Sequence, residues 1–170
     1  MNAAVAVRNL AEIAHVLTSL KVTWVLAAGT LLGVVREGHL LDHDHDTDIA
    51  VIAPADHHAI KHALCKLGFA MTQTFGVPEH GFEMRFERDG VWTDVFWDYL
   101  DGDVLWHACW DEGKMMRYEV TRFNPVPCDA LGFPAFIPHD SERYLAETYG
   151  DWRQVVKEWD YRTDPKCRVS

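Results

Sequence analysis

Positive charge is scarce in this 170-residue chain, where 16 Lys and Arg residues stand against 26 Asp and Glu residues for a formal net charge of −10. Proteins that wrap nucleic acid contact phosphates through clustered Lys and Arg, so this balance argues against a nucleic-acid polymer as partner. An anionic small substrate stays compatible with the sequence, provided that a bound cation reverses the sign of the local field.

Long apolar runs and paired cysteines are also missing. No apolar stretch approaches the roughly 20 residues of a membrane-spanning helix. Arg8 is the only Lys or Arg among the first 17 residues, and Glu12 interrupts their apolar stretch, so no secretory signal is predicted. The four cysteines form no CxxC pair, which favours reduced thiols over a disulfide or zinc framework. Together these features predict a cytoplasmic protein without a membrane span.

Repeats, low-complexity tracts and Gly/Ser linkers are absent as well, which predicts a single domain over residues 1–170. Its catalytic core is expected at about residues 22–100, and a C-terminal helical segment at about residues 138–160. The order of predicted helices and strands indicates an α/β (mixed α+β) domain with a small mixed sheet flanked by helices.

Apolar periodicity and turn residues place the individual elements. A strand at residues 24–28 is expected to end in a turn at Gly29 and Thr30. Residues 100–135, rich in Trp, Pro and Gly, are expected to be irregular. Helices are predicted at residues 10–20, 31–36, 54–67, about 138–149 and 152–159, and further strands at residues 49–52, 69–75, 82–87 and 91–99.

An acidic run at residues 42–48, reading Asp-His-Asp-His-Asp-Thr-Asp, leads directly into an apolar strand. On an extended backbone Asp46 and Asp48 point to one face, roughly 6.5–7 Å apart. Two carboxylates beside a buried strand are costly unless they share a cation. Asp94, flanked by apolar residues on a later strand, offers a third carboxylate. Oxygen ligands predict Mg²⁺ or Mn²⁺, and a solvated acidic loop is the alternative.

The residues around this run allow further interpretations. Glycine lets a ligand approach the backbone closely, so Gly29 and Thr30 are candidates for phosphate binding. Arg85 is a candidate for binding a substrate phosphate, and an ordinary solvent-exposed surface charge is the alternative. His43 and His45, each followed by an aspartate, also suggest a metal-dependent phosphohydrolase. Such a site needs further His and Asp residues on separate helices, whereas this run continues into a strand.

The succession of a Gly-Thr turn, an Asp-x-Asp strand and a lone aspartate on a later strand resembles the nucleotidyltransferase (polymerase-β-like) fold. Residues 29–33 read Gly-Thr-Leu-Leu-Gly, and Arg36 follows three positions on. Residues 40–41 form an apolar pair, and residues 44–48 end in Asp-Thr-Asp. In these motifs and their spacing the chain more narrowly resembles the LicD/fukutin family.

The similarity extends beyond this first block. Residues 93–96, Thr-Asp-Val-Phe, are similar to the family's second acidic strand. Residues 137–152 resemble its terminal segment, in which a proline precedes Tyr-Leu and Tyr-Gly-Asp. The chain departs from the pattern at residues 42–43, where Asp-His stands in place of Pro-Trp.

The resemblance implies transfer of a phosphorylated alcohol, such as phosphocholine or ribitol phosphate, from a CDP-linked donor to a sugar or glycan hydroxyl. It implies that Asp46, Asp48 and Asp94 hold Mg²⁺ or Mn²⁺ and that Asp94 accepts the proton of the incoming hydroxyl. Asp44 would support this site. Arg36 would either bind a phosphate through two guanidinium N–H groups or form a structural ion pair with Asp44.

Two other functions stay open from the sequence. A small antibiotic-type nucleotidyltransferase would use the same three carboxylates to transfer an NMP from an NTP to a hydroxyl. A non-catalytic nucleotide- or metal-binding module on the same fold is the second, although such a module has no need of three converging carboxylates.

Overall fold

Four helices and nine strands follow one another along residues 1–169, the part of the chain that the computed structural model describes. The helices are α1 (Ala3–Ser19), α2 (Ala28–Glu37), α3 (His57–Lys66) and α4 (Ser141–Tyr149). The strands are β1 (Trp24–Leu26), β2 (Asp46–Ile52), β3 (Ala70–Val77), β4 (His80–Arg88), β5 (Val91–Asp101), β6 (Val104–Asp111), β7 (Lys114–Thr121), β8 (Pro125–Cys128) and β9 (Ala135–Pro138).

Seven of the strands form one mixed sheet with β5 at its centre. Along the order β1-β2-β5-β4-β3, β5 lies parallel to β2 and antiparallel to β4. The last residues of β5 pair with β6, which continues into β7, and β8 pairs with β9 in a separate ribbon. This architecture confirms the predicted mixed α+β class with a mixed sheet flanked by helices.

Side-chain alternation gives the central strands two different faces. On β2 and β5 the buried residues Ile49, Val51, Val95 and Trp97 belong to the hydrophobic core. Helices α1 and α3 pack against each other, and each also packs against a strand of the sheet, β2 and β3 respectively. The alternate positions of β2 and β5 carry aspartates and face a cavity instead. Strand period therefore separates the core from the polar side chains.

The helices begin and end at residues that satisfy their free backbone groups. Asn2, Asp56 and Asp140 accept hydrogen bonds from the first turns of α1, α3 and α4. Gly38 ends α2 with a φ of 74°, as the sequence predicts for a C-terminal glycine. Within residues 1–169, none of the helices combines the length and the apolar character that crossing a bilayer requires.

Two predictions about the first half of the chain and its centre are wrong. Gly29 and Thr30 do not form a turn after β1, because α2 begins at Ala28 and includes both. Residues 100–135 are not irregular, because β6 and β7 form a long hairpin there. Gly102 and Gly113 have φ values of 60° and 78°, so they supply the turns at both ends of β6. The many Trp, Pro and Gly residues of this segment led to the prediction of irregular structure and hid the alternation of the two strands.

The predicted helical segment at residues 138–160 is correct only as far as α4, which ends at Tyr149. Residues 152–159 contain bends and turns instead of a helix. The carbonyl oxygens of Trp152 and Gln154 accept hydrogen bonds from Nη1 of Arg36, so a side chain takes acceptors that a helix would use internally. A tertiary contact therefore replaces the local helical preference.

Candidate functional site

Three aspartates converge where the acidic run enters β2. The oxygen atoms that Asp44, Asp46 and Asp48 can offer to a metal lie within 4.8 Å of one another. Asp46 and Asp48 share one face of β2 because they are two residues apart, and Asp44 reaches the same place from the preceding loop. Within residues 1–169 this convergent group consists of carboxylates alone and includes no histidine.

The N-terminus of α2 is attached to this cluster through Asp48. Ala27, the N-cap residue, cannot cap the helix with its methyl group. Asp48 Oδ2 instead accepts a hydrogen bond from the Thr30 backbone N–H at 3.4 Å, and Thr30 Oγ1 accepts one from the Asp48 backbone N–H at 2.8 Å. A carboxylate from a neighbouring strand thus performs the task of a local N-cap.

Gly29 allows the aspartates to approach α2 closely. A β-carbon at this position would lie 2.4 Å from Asp44 Oδ2 and 3.5 Å from Asp48 Oδ2. The first of these distances is shorter than any real contact of a β-carbon. The Asp44 carboxylate can therefore occupy its position only because residue 29 is a glycine.

Asp94 lies beside the cluster but is held by an arginine. It is the register partner of Asp48 on β5, and on its other side it pairs with Arg85 of β4. Arg85 donates from Nε and Nη2 to the two oxygens of Asp94 at 2.6 and 2.5 Å, which is a bidentate pair. The guanidinium of Arg85 therefore places a positive charge next to Asp94.

Burial and mutual repulsion raise the pKa values of the aspartates. The pKa of Asp46 rises to about 6 through burial first and then through Asp44, and the pKa of Asp48 rises well above its usual range through burial, Asp46, Asp44 and Asp94. Burial also raises the pKa of Asp94 against the opposing effect of Arg85. The carboxyl groups of Asp44, Asp46, Asp48 and Asp94 outnumber the single guanidinium of Arg85, so the site favours a bound cation.

The donor set fits a hard divalent ion. Three carboxylates within ligand-sharing distance, with oxygen as the only donor element, are the ligands that Mg²⁺ or Mn²⁺ prefers. Asp48 is 8% exposed, so water screens its charge poorly and an ion would relieve the repulsion most effectively at this residue.

The aspartates line a cavity of about 610 Å³. Residues of strands β2, β4 and β5 and of helices α2 and α4 contribute to its lining. Residues 151–167 add Trp152, Trp159 and Tyr161 to the lining, so the C-terminal segment covers the cavity. A space of this size accommodates a nucleotide-sized or similar small molecule.

A model of the family described as LicD/FKTN/FKRP, nucleotidyltransferase domain, matches residues 21–140. This chain belongs to that family. The matched range contains the carboxylate cluster, Asp94 and Arg85, whereas α4 and the C-terminal segment that covers the cavity lie beyond it.

Curated proteins support the assignment to the LicD/FKTN/FKRP family. The chain is 28% identical over 156 residues to human ribitol-5-phosphate transferase FKTN and 26% identical to the mouse protein of the same name, in each case over 89% of this chain and 34% of the relative. It is 26% identical to an uncharacterized protein of Caenorhabditis elegans, over 89% of this chain and 46% of the relative. The chain thus spans about a third of the length of the FKTN proteins.

Most of the site residues that were predicted from the sequence contribute to the lining of the cavity. Gly29, Arg36, Asp46, Arg85 and Asp94 do so, whereas Thr30 is buried behind Asp48. Arg36 donates to Glu37 and to the carbonyls of Trp152 and Gln154, so it fastens the C-terminal segment to α2. His43 and His45 lie at the edge of the cavity, outside the aspartate cluster.

Sequence reasoning missed a buried carboxyl group close to the cluster. Glu83 on β4 is two residues from Arg85 on the same strand face, is 5% exposed and lines the cavity. Burial first, and then the charge of Asp94, raises the pKa of Glu83 to about 8. The sequence did contain a signal for Glu83: side chains two residues apart on a strand point to the same face, so a cavity-facing Arg85 implies a cavity-facing Glu83.

Asp98 and His107 were missed for a related reason. Asp98 lies on the cavity face of β5, four residues beyond Asp94, and His107 projects from β6. Period two from Asp94 identifies Asp98 as facing the same side, but His107 belongs to a strand that the sequence analysis treated as irregular.

Proposed function

We propose that this chain is a metal-dependent transferase that moves a phosphorylated alcohol from a CDP-linked donor to a sugar or glycan hydroxyl. The alcohol is of the ribitol-phosphate or phosphocholine type, and the domain has the nucleotidyltransferase fold. Support comes from the family of the chain and from the name of its FKTN relatives, which are ribitol-5-phosphate transferases.

The observation that carries the proposal is the convergence of Asp44, Asp46 and Asp48 within 4.8 Å in the lining of a large cavity. A binding module has no need to collect buried like charges, because their repulsion lowers the stability of the fold. A phosphoryl transferase needs them, because its metal ions neutralise the charge of the donor diphosphate.

Each group at the site has a role in this reaction. Asp46 and Asp48, with Asp44 or Asp94, would hold Mg²⁺ or Mn²⁺, which supplies charge neutralisation of the diphosphate when bound. Arg85 would pair with a phosphate oxygen of the donor; its guanidinium forms a bidentate pair with the Asp94 carboxylate, and arginine binds phosphate in the same bidentate way.

The bond changes follow from the reaction class. The acceptor oxygen forms a bond to the phosphorus that carries the alcohol, the bond between that phosphorus and the bridging oxygen breaks, and CMP leaves. Asp94 takes the proton of the acceptor hydroxyl as this bond forms. Gly29 and the first turn of α2 lie against the aspartates, where a bulkier residue would displace Asp44.

Transfer of an NMP from an NTP is the second candidate function. It is favoured by the description of the matching family model as a nucleotidyltransferase domain. The same carboxylates would hold the metal ions, but pyrophosphate would leave instead of CMP.

The products of the reaction separate these functions. Purified protein with Mn²⁺ is incubated with CDP-ribitol, CDP-choline, CTP or ATP and with a panel of glycosides, and the products are identified by mass spectrometry. We expect CMP and an acceptor heavier by one alcohol phosphate. Pyrophosphate together with a nucleotidylated acceptor would instead support the second candidate.

A variant pair controls for contaminating activity. Asp46→Asn removes one carboxylate of the cluster, and Asp42→Asn alters an exposed residue of the same acidic run. Product formation should disappear in the first variant and persist in the second. Binding of nucleotide without any product, in the wild type and with every donor, would contradict both transfer reactions and favour a non-catalytic module.

A further inference from the structure

A second pair of polar side chains lines the cavity, four residues along β5 from Asp94. Asp98 is 3% exposed, and its Oδ1 has no hydrogen-bond partner within residues 1–169. His107 faces it from β6, with Nδ1 at 3.6 Å from Asp98 Oδ1. Both side chains line the same cavity as the aspartate cluster. An unpartnered carboxyl oxygen in such a place is uncommon, because leaving it unsatisfied destabilises the fold.

The gap between the two side chains suits a hydroxyl group. At 3.6 Å the two atoms are too far apart for a direct hydrogen bond. A hydroxyl placed beside them donates its proton to Asp98 Oδ1 and accepts from an imidazole N–H, which uses both of its capacities. Burial lowers the pKa of His107 to about 4, so the ring is neutral at neutral pH and carries one donor and one acceptor.

Aromatic rings surround this pair and provide apolar faces. The His107 ring is stacked on Tyr118, with centroids 5.4 Å apart, and Phe96 lies 5.5 Å from it. Tyr144 of α4 is buried and lines the same cavity. Rings beside fixed hydrogen-bonding groups are typical of sites for hydroxylated carbon chains and sugar rings, whose C–H groups pack on the rings.

The distance between the aspartate cluster and the Asp98–His107 pair allows one substrate to reach both. Asp94 and Asp98 are four residues apart on the same face of β5, which corresponds to about 13 Å along the strand. A ligand whose phosphates lie near the aspartate cluster can therefore extend an alcohol or sugar portion as far as Asp98.

We propose that Asp98 and His107 form a subsite that binds the hydroxyl groups of a polyol or sugar portion of the substrate. Because the assignment of that portion to donor or acceptor rests on the proposed function, the test measures binding separately from turnover. The shared chemistry is a chain or ring of vicinal hydroxyls.

The test uses ligands that differ in hydroxyl groups. Ribitol 5-phosphate represents the donor alcohol, methyl β-D-galactopyranoside represents an acceptor sugar, and phosphocholine carries a phosphate without hydroxyls on its alcohol. Each is titrated into the full chain with Mg²⁺, and the dissociation constant is measured from amide chemical shifts. CMP release from CDP-ribitol is assayed in parallel.

Three variants are compared with the wild type. Asp98→Ala removes both carboxyl oxygens, and His107→Phe preserves a ring against Tyr118 while it removes the nitrogens. Asp103→Asn changes an exposed aspartate in the turn between β5 and β6 and serves as the control. Melting temperatures are recorded for all four proteins.

We expect the first two variants to bind one of the hydroxylated ligands about threefold to tenfold more weakly, as for one lost hydrogen bond. Weakened ribitol 5-phosphate binding assigns the hydroxyls to the donor, and weakened galactoside binding assigns them to the acceptor. Phosphocholine binding and the control variant should match the wild type.

The remaining outcomes overturn the subsite. They are equal affinities for both hydroxylated ligands in all four proteins, an equal loss of phosphocholine binding, or loss of binding only together with a lower melting temperature in both variants. Hydroxyl binding that depends on Asp98, without CMP release from CDP-ribitol, would contradict the proposed transfer and leave the subsite supported.

Discussion

At the scale of single residues, Asp48 combines two tasks in one carboxylate. It accepts a hydrogen bond from the Thr30 backbone N–H, and it belongs to the convergent aspartate group. The first task stabilises α2, whereas the second brings repulsion from Asp46, Asp44 and Asp94. A substitution that separates charge from hydrogen-bonding capacity therefore distinguishes them.

Asp48→Asn retains an oxygen that accepts the Thr30 N–H but removes the charge. We expect the activity on the natural donor to fall by orders of magnitude, because several kcal/mol of charge stabilisation disappear. The melting temperature in the absence of metal should stay equal or rise, because carboxylate repulsion is relieved. Asp42→Asn is the matched control. Equal activity in the two variants, or an active but unstable Asp48→Asn protein, would show that Asp48 is structural.

Asp98 makes the stability of the protein depend on pH. Burial raises its pKa to about 7 from the ordinary 3.8, so the native state keeps a proton that the unfolded chain releases. The contribution of Asp98 to the free energy of unfolding is fully present below about pH 4. It is lost as the pH rises to about 7, a difference on the order of 4 kcal/mol. His107 of β6 and Tyr144 of α4 face Asp98, and neither is charged between pH 5 and pH 8.

Asp98→Asn should therefore gain stability relative to the wild type as the pH increases. Urea unfolding at pH 5 and pH 8 measures the difference, and Asp103→Asn serves as the exposed control. A stability difference between Asp98→Asn and the wild type that is the same at both pH values would contradict a raised pKa at Asp98.

At the scale of elements, two glycines of α2 have different functions. A β-carbon at Gly29 would meet the carboxylate end of Asp44, which can rotate away. One at Gly33 would lie 2.6 Å from the His39 carbonyl oxygen and 3.0 Å from the Leu41 amide nitrogen, which are backbone atoms. The same substitution therefore changes the site at one position and the packing at the other.

Gly29→Ala should fold with a melting temperature close to that of the wild type but bind Mn²⁺ at least several-fold more weakly, because Asp44 is displaced. Gly33→Ala should lose about 1–3 kcal/mol of unfolding free energy through overpacking, less the helix-propensity gain of alanine. Calorimetry gives the stabilities, and Mn²⁺ titration gives the affinities. Identical Mn²⁺ affinity in Gly29→Ala and the wild type would contradict the role of Gly29.

At the scale of the whole molecule, the repulsive cluster couples folding to metal binding. A ligand that binds only the native state at a hundred times its dissociation constant stabilises it by about 2.7 kcal/mol. For a domain of this size we expect Mn²⁺ to raise the melting temperature by roughly 5–10 °C.

The shift should largely disappear in Asp46→Asn and persist in Asp42→Asn, measured by differential scanning fluorimetry. An unchanged melting temperature of the wild type in millimolar Mn²⁺ and Mg²⁺ would argue against a divalent-cation site at the aspartates.

Local patterns in the sequence determined much of the fold and the chemical nature of the site. Apolar periodicity placed α1, α3, β3, β4 and β5, and the spacing of the Gly-Thr block and the acidic run predicted the family that the comparison shows. These features can be predicted from the sequence because strand and helix periods, caps and short motifs depend on residues close together in the chain.

Only the tertiary structure decided which distant groups meet. Arg85 and Asp94 pair because β4 and β5 are in register, Asp48 caps a helix 18 residues earlier in the chain, and Arg36 takes the carbonyls that a helix at residues 152–159 would need. Asp98 on the predicted strand β5 faces His107 on β6, a strand that the sequence did not reveal. Such contacts depend on strand register and on packing between segments far apart in sequence, which local periodicity does not encode.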